Sequence, residues 1–218
     1  MSQHTLTLLR FTYKKLKEKL TVSDSKKLFH EQFPFVIPGL YKRIVDEMLV
    51  ELNLLNHQNE FKQDSIFCVG LTETFKELTK GYKPEKHLDL LFESLCGSTN
   101  FVAKEIKEIS EISQKEFSDK SSEDILKSLK EKSNSKLYPS RILNLGVYKL
   151  ISNSRDFKEK KEVEINEMIS ELFENLNLSP NKAEKDIGIY KSTISKMEQA
   201  KELIEELRTK DKKKEQKQ

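Results

Sequence analysis

The chain has 218 residues, of which 36% are hydrophobic and 34% charged, and carries a net charge of +3. So few apolar side chains, with only six glycines and five prolines, argue against a thick-cored sheet and against an all-β protein built on tight turns. The length admits one large domain or two small ones, and the composition favours long, charge-faced helices.

Both chain ends are basic. Residues 1–20 carry a net +4 and residues 209–218 a net +3, which leaves −4 for the middle. An acidic body between basic arms is not the pattern of a dedicated nucleic-acid domain. In residues 1–20 the charges follow the apolar residues, the reverse of a secretory signal. No stretch approaches the ~20 apolar residues of a membrane span.

Helix signals then follow one another. Thr21 or Ser23 is placed to cap a helix running to about Phe33, with Leu28 and Phe29 inward. After Pro38, the spacing of Leu40, Tyr41, Ile44, Val45, Met48, Leu49, Leu52 and Leu55 predicts an amphipathic helix. Asp64 is the predicted cap of the next, which is interrupted by Gly70 and closed by Gly81. Gly70 reads as a close helix–helix contact rather than a break. Pro84 opens a helix that Gly97 stops. Charged helices near 100–116 and 122–131 follow, then a loop over Lys130 to Lys136. The segment after Pro139 is apolar nearly all round and belongs at the centre of a bundle.

A further amphipathic helix is predicted from about Lys158 to Leu176. Ser179 and Pro180 then form an N-cap and a first-turn proline. From there to Arg208 only Gly188 interrupts. Ile187, Tyr190, Ile194, Met197, Lys201 and Ile204 follow a coiled-coil-like 3,4 alternation. Such a helix would span about 43 Å at ~1.5 Å per residue, against a radius of gyration of about 17 Å for a compact chain of this size. The expected fold is therefore all-α. It comprises a basic segment 1–20, a single helical bundle 21–178, a long protruding helix 179–208 and a disordered lysine-rich tail 209–218.

Chemistry-bearing motifs are sparse. Cys68 and Cys96 are 28 residues apart and form no metal or redox motif. They are expected to be buried thiols of a cytosolic protein. No two of the four histidines are spaced as a helical metal pair. No nucleophile-elbow, dinucleotide or P-loop sequence occurs, so no enzymatic active site is expected. Residues 188–198, GIYKSTISKME, are similar to the recognition helix of a helix-turn-helix domain. The preceding Lys182, Glu184 and Lys185 are too polar for its first helix, and the apolar seam keeps its phase through Gly188.

Several stretches together resemble the thylakoid formation protein family of cyanobacteria and plastids. They are TVSDSKKLF (21–29) with PGLYKRIVDEMLVELNLL (38–55), then FKQDSIFCVGL, Phe75, GYKPE and LFESLC (61–96), then KLYPSRILNLGVYKLI (136–151), then KDIGIYKSTISKMEQA (185–200). The order and intervals match. Pro139 and Gly188 depart from the family pattern, and residues 1–20 do not match.

The resemblance implies an all-helical, non-enzymatic factor for thylakoid membrane biogenesis and for photosystem II assembly and repair. It implies binding and stabilisation of FtsH-type membrane proteases, and a cytoplasmic protein peripherally associated with the thylakoid membrane. It supplies no catalytic residue, metal or cofactor. It also assigns residues 185–200 to the family's own helix, so no nucleic-acid partner is expected. The candidate partner-binding residues are Lys191, Lys196, Lys201, Glu205 and Arg208. Deleting residues 185–218 is expected to leave the body folded and abolish protease association. The alternative is a lipid-surface protein that shapes membranes through its basic ends, touching anionic thylakoid lipids.

Overall fold

Short polar side chains start two helices, at Thr21 and Asp64, where the sequence predicts. The computed structural model describes residues 19–59, 61–132, 140–175 and 178–215, without the side chains of 130–132, 158, 162 and 208–215. The predicted Lys130–Lys136 loop and Pro139 lie largely outside those residues. Thr21, rather than Ser23, caps α1 (Val22–Gln32) through a capping box with Asp24. The Asp64 carboxylate accepts from Phe67 N–H at 3.0 Å and starts α3 (Ser65–Leu78). Between them runs α2 (Gly39–Asn56), with its predicted stripe buried except for the half-buried Leu40.

The α3 helix stops at Leu78, and the chain reverses through Gly81, whose φ of +83° is left-handed. A 3-10 turn at Glu85–His87 leads into α4 (Leu88–Gly97). Then come α5 (Ala103–Ser118), α6 (Ser122–Lys132) and α7 (Arg141–Ser152). A second 3-10 turn at Phe157–Glu159 precedes α8 (Glu162–Asn175). The last helix, α9, is unbroken from Pro180 to Glu215.

The bundle is organised around α3 and α7, which share the most extensive helix–helix contact. Residues 142–147 of α7 are all buried, as expected of a helix that is apolar all round. Gly70 and Gly146 meet at the crossing. A Cβ on Gly70 would strike the carbonyl oxygen of Ile142 and stand 2.9 Å from the Gly146 Cα, and one on Gly146 would strike the carbonyl oxygen of Ile66. Against this pair pack α5 on α3, α6 on α7, and α9 on both. The α1, α2 and α4 helices contact one another.

The structure corrects one expectation about the C-terminus. The helix does not end at Arg208 but runs seven residues further to Glu215, over sequence assigned to a tail. No glycine or proline lies between, and lysine and glutamate are good helix formers. The helix-turn-helix alternative needs a turn near Gly188, and α9 passes through that residue without one. Ile187, Tyr190 and Met197 of the 3,4 seam are buried in the bundle.

Two glycine replacements separate tight from open positions. Gly70→Ala is expected to lose at least about 1–3 kcal/mol, because two backbones must part. Gly188→Ala, with nothing within 4 Å of the new methyl, is expected to gain up to about 1 kcal/mol from helix propensity. Urea unfolding of both variants measures the contrast.

Candidate partner-binding surface

The seat of α9 determines which of its side chains are available. Ser179 accepts from Lys182 N–H at 3.4 Å, and Pro180 occupies the first helical position. Ala183, Ile187, Tyr190 and Met197 are then buried, and Ile194 packs against the core. They lie at helical spacing, so one stripe meets α7, α8 and α3.

Two polar clusters fix the register of that stripe. In the first, Lys149 and Tyr190 both donate to the Glu77 carboxylate, joining α7 and α9 to α3. The Lys149 ammonium also stands 5.1 Å from the Tyr190 ring centroid. Burial pushes the Glu77 carboxyl up, but its two donors outweigh burial and hold it below the ordinary carboxylate range. Burial and the adjacent Glu77 both push the Tyr190 phenol up. In the second cluster, the buried Asp186 accepts from Asn144 Nδ2 at 2.8 Å and faces Arg141 Nε at 3.9 Å. Arg141 also reaches Glu47 at 3.3 Å, which brings in α2.

This second cluster borders a groove of about 760 Å³ between α2 and the starts of α7 and α9. Its rim carries Arg43, Glu47, Arg141 and Asp186, which pair with one another. Glu47, Arg141 and Asp186 thereby join α2, α7 and α9. Among the described residues no group of His, Cys, Asp and Glu is arranged to hold a metal ion. Cys68 and Cys96 are buried, as expected, and burial pushes each thiol up to about 12. Neither forms a nucleophilic thiolate near neutral pH.

The five predicted contact residues do not form one patch. Lys191 is exposed and lies 5.3 Å from the Tyr148 ring centroid. Lys196 is exposed on a different side of the helix. Lys201 is half-buried, its side-chain carbons 3.3 Å from where a Gly81 Cβ would stand. Glu205 is exposed one turn further on, and the Arg208 side chain lies outside the described residues.

The charge-centred prediction missed an apolar surface on the same helix. Leu203 is 57% exposed, Ile204 40% and Leu207 52%. Ile204 continues the seam beyond the edge of the bundle, while Leu203 and Leu207 form an i,i+4 pair beside it. The spacing of Ile189, Lys196 and Leu203, seven residues apart, was the available signal.

Comparison with known proteins gives one consistent answer. The family model described as thylakoid formation protein matches residues 21–218. Protein Thf1 of Prochlorococcus marinus strain MIT 9312 is 84% identical over 199 residues, covering 91% of this chain and 99% of that protein. Protein Thf1 of Prochlorococcus marinus subsp. pastoris is 71% identical over 198 residues, covering 91% and 98%. The fold is similar to the 1.55 Å structure of Psb29, with a TM-score of 0.70 and 26% identity, covering 82% of this chain and 98% of that one.

The Glu77 cluster gives a pH signature. A carboxyl whose pKa is lower in the folded state contributes stability above its unfolded value, ~4.3, and that stability fades as pH falls through the folded value. Glu77→Gln is expected to cost about 1–3 kcal/mol near pH 7. The gap to the parent should narrow steadily below about pH 4.3. Urea unfolding of both proteins between neutral and acid pH measures it, and a gap independent of pH would remove Glu77 as the charged anchor.

Proposed function

This chain belongs to the thylakoid formation protein family, and from that premise we propose a specific role for it. It is a non-enzymatic factor of thylakoid biogenesis and of photosystem II assembly and repair. It binds and stabilises an FtsH-type membrane protease through the free end of α9. The observation that carries this reading is the division of α9 into a seated half and an open half. Through Met197 the helix is core, whereas residues 202–207 are all exposed, with Leu203, Ile204 and Leu207 among them.

An exposed apolar stripe on a preformed helix suits docking into a groove on a partner. Lys191, Lys196 and Glu205 provide the polar surroundings of such a contact. Among the described residues no helix is long and apolar enough to cross a membrane. Association with the thylakoid would then be peripheral, through the protease or through anionic lipids at the lysine-rich end of α9.

The seat of α9 changes where the test must cut. A deletion from residue 185 would take Ile187, Tyr190 and Met197 out of the core, so the body would not survive it as first expected. Removing residues 202–218 spares every α9 side chain that is buried among the described residues. That truncation is expected to leave the melting temperature within a few degrees of the parent. Co-purification of FtsH subunits from gently solubilised native membranes should fall at least about tenfold. Undiminished co-purification would exclude the free end as the contact. Loss of lipid with FtsH retained would favour the membrane-surface reading.

A further inference from the structure

A second surface lies at the end of the bundle where α3 stops. The chain leaves α3 through Thr79 and Lys80, turns at Gly81 and buries Tyr82, which is 1% exposed. This turn and the starts of α4 and α5 enclose a pocket of about 510 Å³. Phe75, Tyr82, Leu88 and Phe92 form its apolar part, with the Phe75 and Phe92 rings edge to face at 4.9 Å. Lys76, Lys80, Lys83 and Lys107 line it as well. Lys201 of α9 approaches from the other side and lies against Gly81.

The acids nearby do not balance these lysines. Lys83 stands 3.9 Å from Glu85 and Lys76 3.9 Å from Glu73, and both ammonium groups are largely exposed. Pairs of that length and exposure contribute little and are easily exchanged. Lys107 makes a shorter contact with Asp89, 2.8 Å, while lying 5.3 Å from the Phe92 ring centroid. Four lysines thus line the aromatic pocket against two acids, Glu85 and Asp89, on a body whose sequence between the basic ends carries −4.

We propose that this pocket docks an acidic segment of a partner protein, which inserts one apolar side chain while its carboxylates meet the lysines. Concavity favours a protruding peptide over a bilayer, whose flat surface would reach the rim lysines but not the apolar floor. Separate flexible ammonium groups suit several spaced carboxylates, whereas a single phosphate is better held by a convergent, bidentate arginine site. The pocket volume falls within the range of sites that take compact apolar groups. The inference concerns a different surface from the Leu203–Leu207 stripe and does not depend on FtsH being the partner.

The test uses the full chain and a fluorescein-labelled peptide of about 12 residues, Asp and Glu around a central Phe-Leu pair. Its controls are the same peptide with Asn and Gln for the acids, and one with Ser for Phe and Leu. Fluorescence anisotropy should show saturable binding of the acidic apolar peptide that weakens as salt rises from about 20 to about 500 mM. Both control peptides should bind at least about tenfold more weakly. The double variant Lys80→Glu, Lys83→Glu should lose at least about tenfold in affinity, and Lys127→Glu on α6 should lose none. Thermal melts of both variants establish that they fold.

Absence of saturable binding by the parent would overturn the proposal, as would binding indifferent to the Lys80 and Lys83 reversals. A lowered melting temperature in the double variant without peptide binding by the parent would leave the lysines as a charge cap on the carbonyl end of α3. Binding of phosphatidylglycerol vesicles, lost in the double variant and unaccompanied by peptide binding, would reassign the site to lipid.

Discussion

Two backbones in direct contact at Gly70 and Gly146 determine where the rest of the molecule stands. Any side chain at either position would collide with a carbonyl of the opposite helix. The close approach sets the separation of α3 and α7, and α5, α6 and α9 pack against that pair. Glu77 lies two turns beyond Gly70, and Lys149 one turn beyond Gly146. With the crossing fixed, these charges meet, and the carboxylate they share with Tyr190 fastens α9 to both helices. A mid-helix glycine, unfavourable by propensity, is here the condition for a polar anchor seven residues away.

The parts of the fold legible in the sequence are those that local chemistry specifies. Thr21 and Asp64 cap helices because their short oxygen-bearing side chains reach the first free N–H groups. The α2 stripe declares itself by spacing, and Gly70 by being costly anywhere except in a close contact. The polar interior was not legible. Asn53 is buried and donates to Leu20 O and Ser25 Oγ at 2.7 and 2.8 Å, tying α1 to α2. Nothing in its neighbourhood in sequence marks it apart from an exposed polar residue. Glu77 and Lys149 are equally anonymous, because their partners are 72 residues apart.

The candidate surface divides in the same way. A long terminal helix follows from residues 180–208, but periodicity does not say which turn is the last to touch the bundle. Lys201 looks like a flaw in the seam and is instead packed on Gly81, where the missing side chain leaves room for its methylenes. Leu203 and Leu207 sit off the seam, where its 3,4 alternation does not mark them. The four stretches that carry the family resemblance contain Gly70, Gly146, Lys149 and Tyr190, and Glu77 lies between two segments of the second. They describe the scaffold, whereas α5, α6 and α8 fall almost wholly outside them. A resemblance concentrated in such residues identifies the framework more sharply than the surfaces mounted on it.

The unbroken passage of α9 out of the bundle has an entropic consequence. Residues 202–215 extend about 21 Å at ~1.5 Å per residue. An unstructured tail of that length would have to be ordered on binding, at roughly 1–2 kcal/mol for each residue fixed. A helix already formed, and clamped through Tyr190 and Asp186, avoids most of that loss. It also restricts its tip to a narrow arc, so a partner gripping the tip would meet the bundle in one orientation. The lysine-rimmed pocket, beside the point where the helix departs, would then be presented to that partner at a set distance and angle.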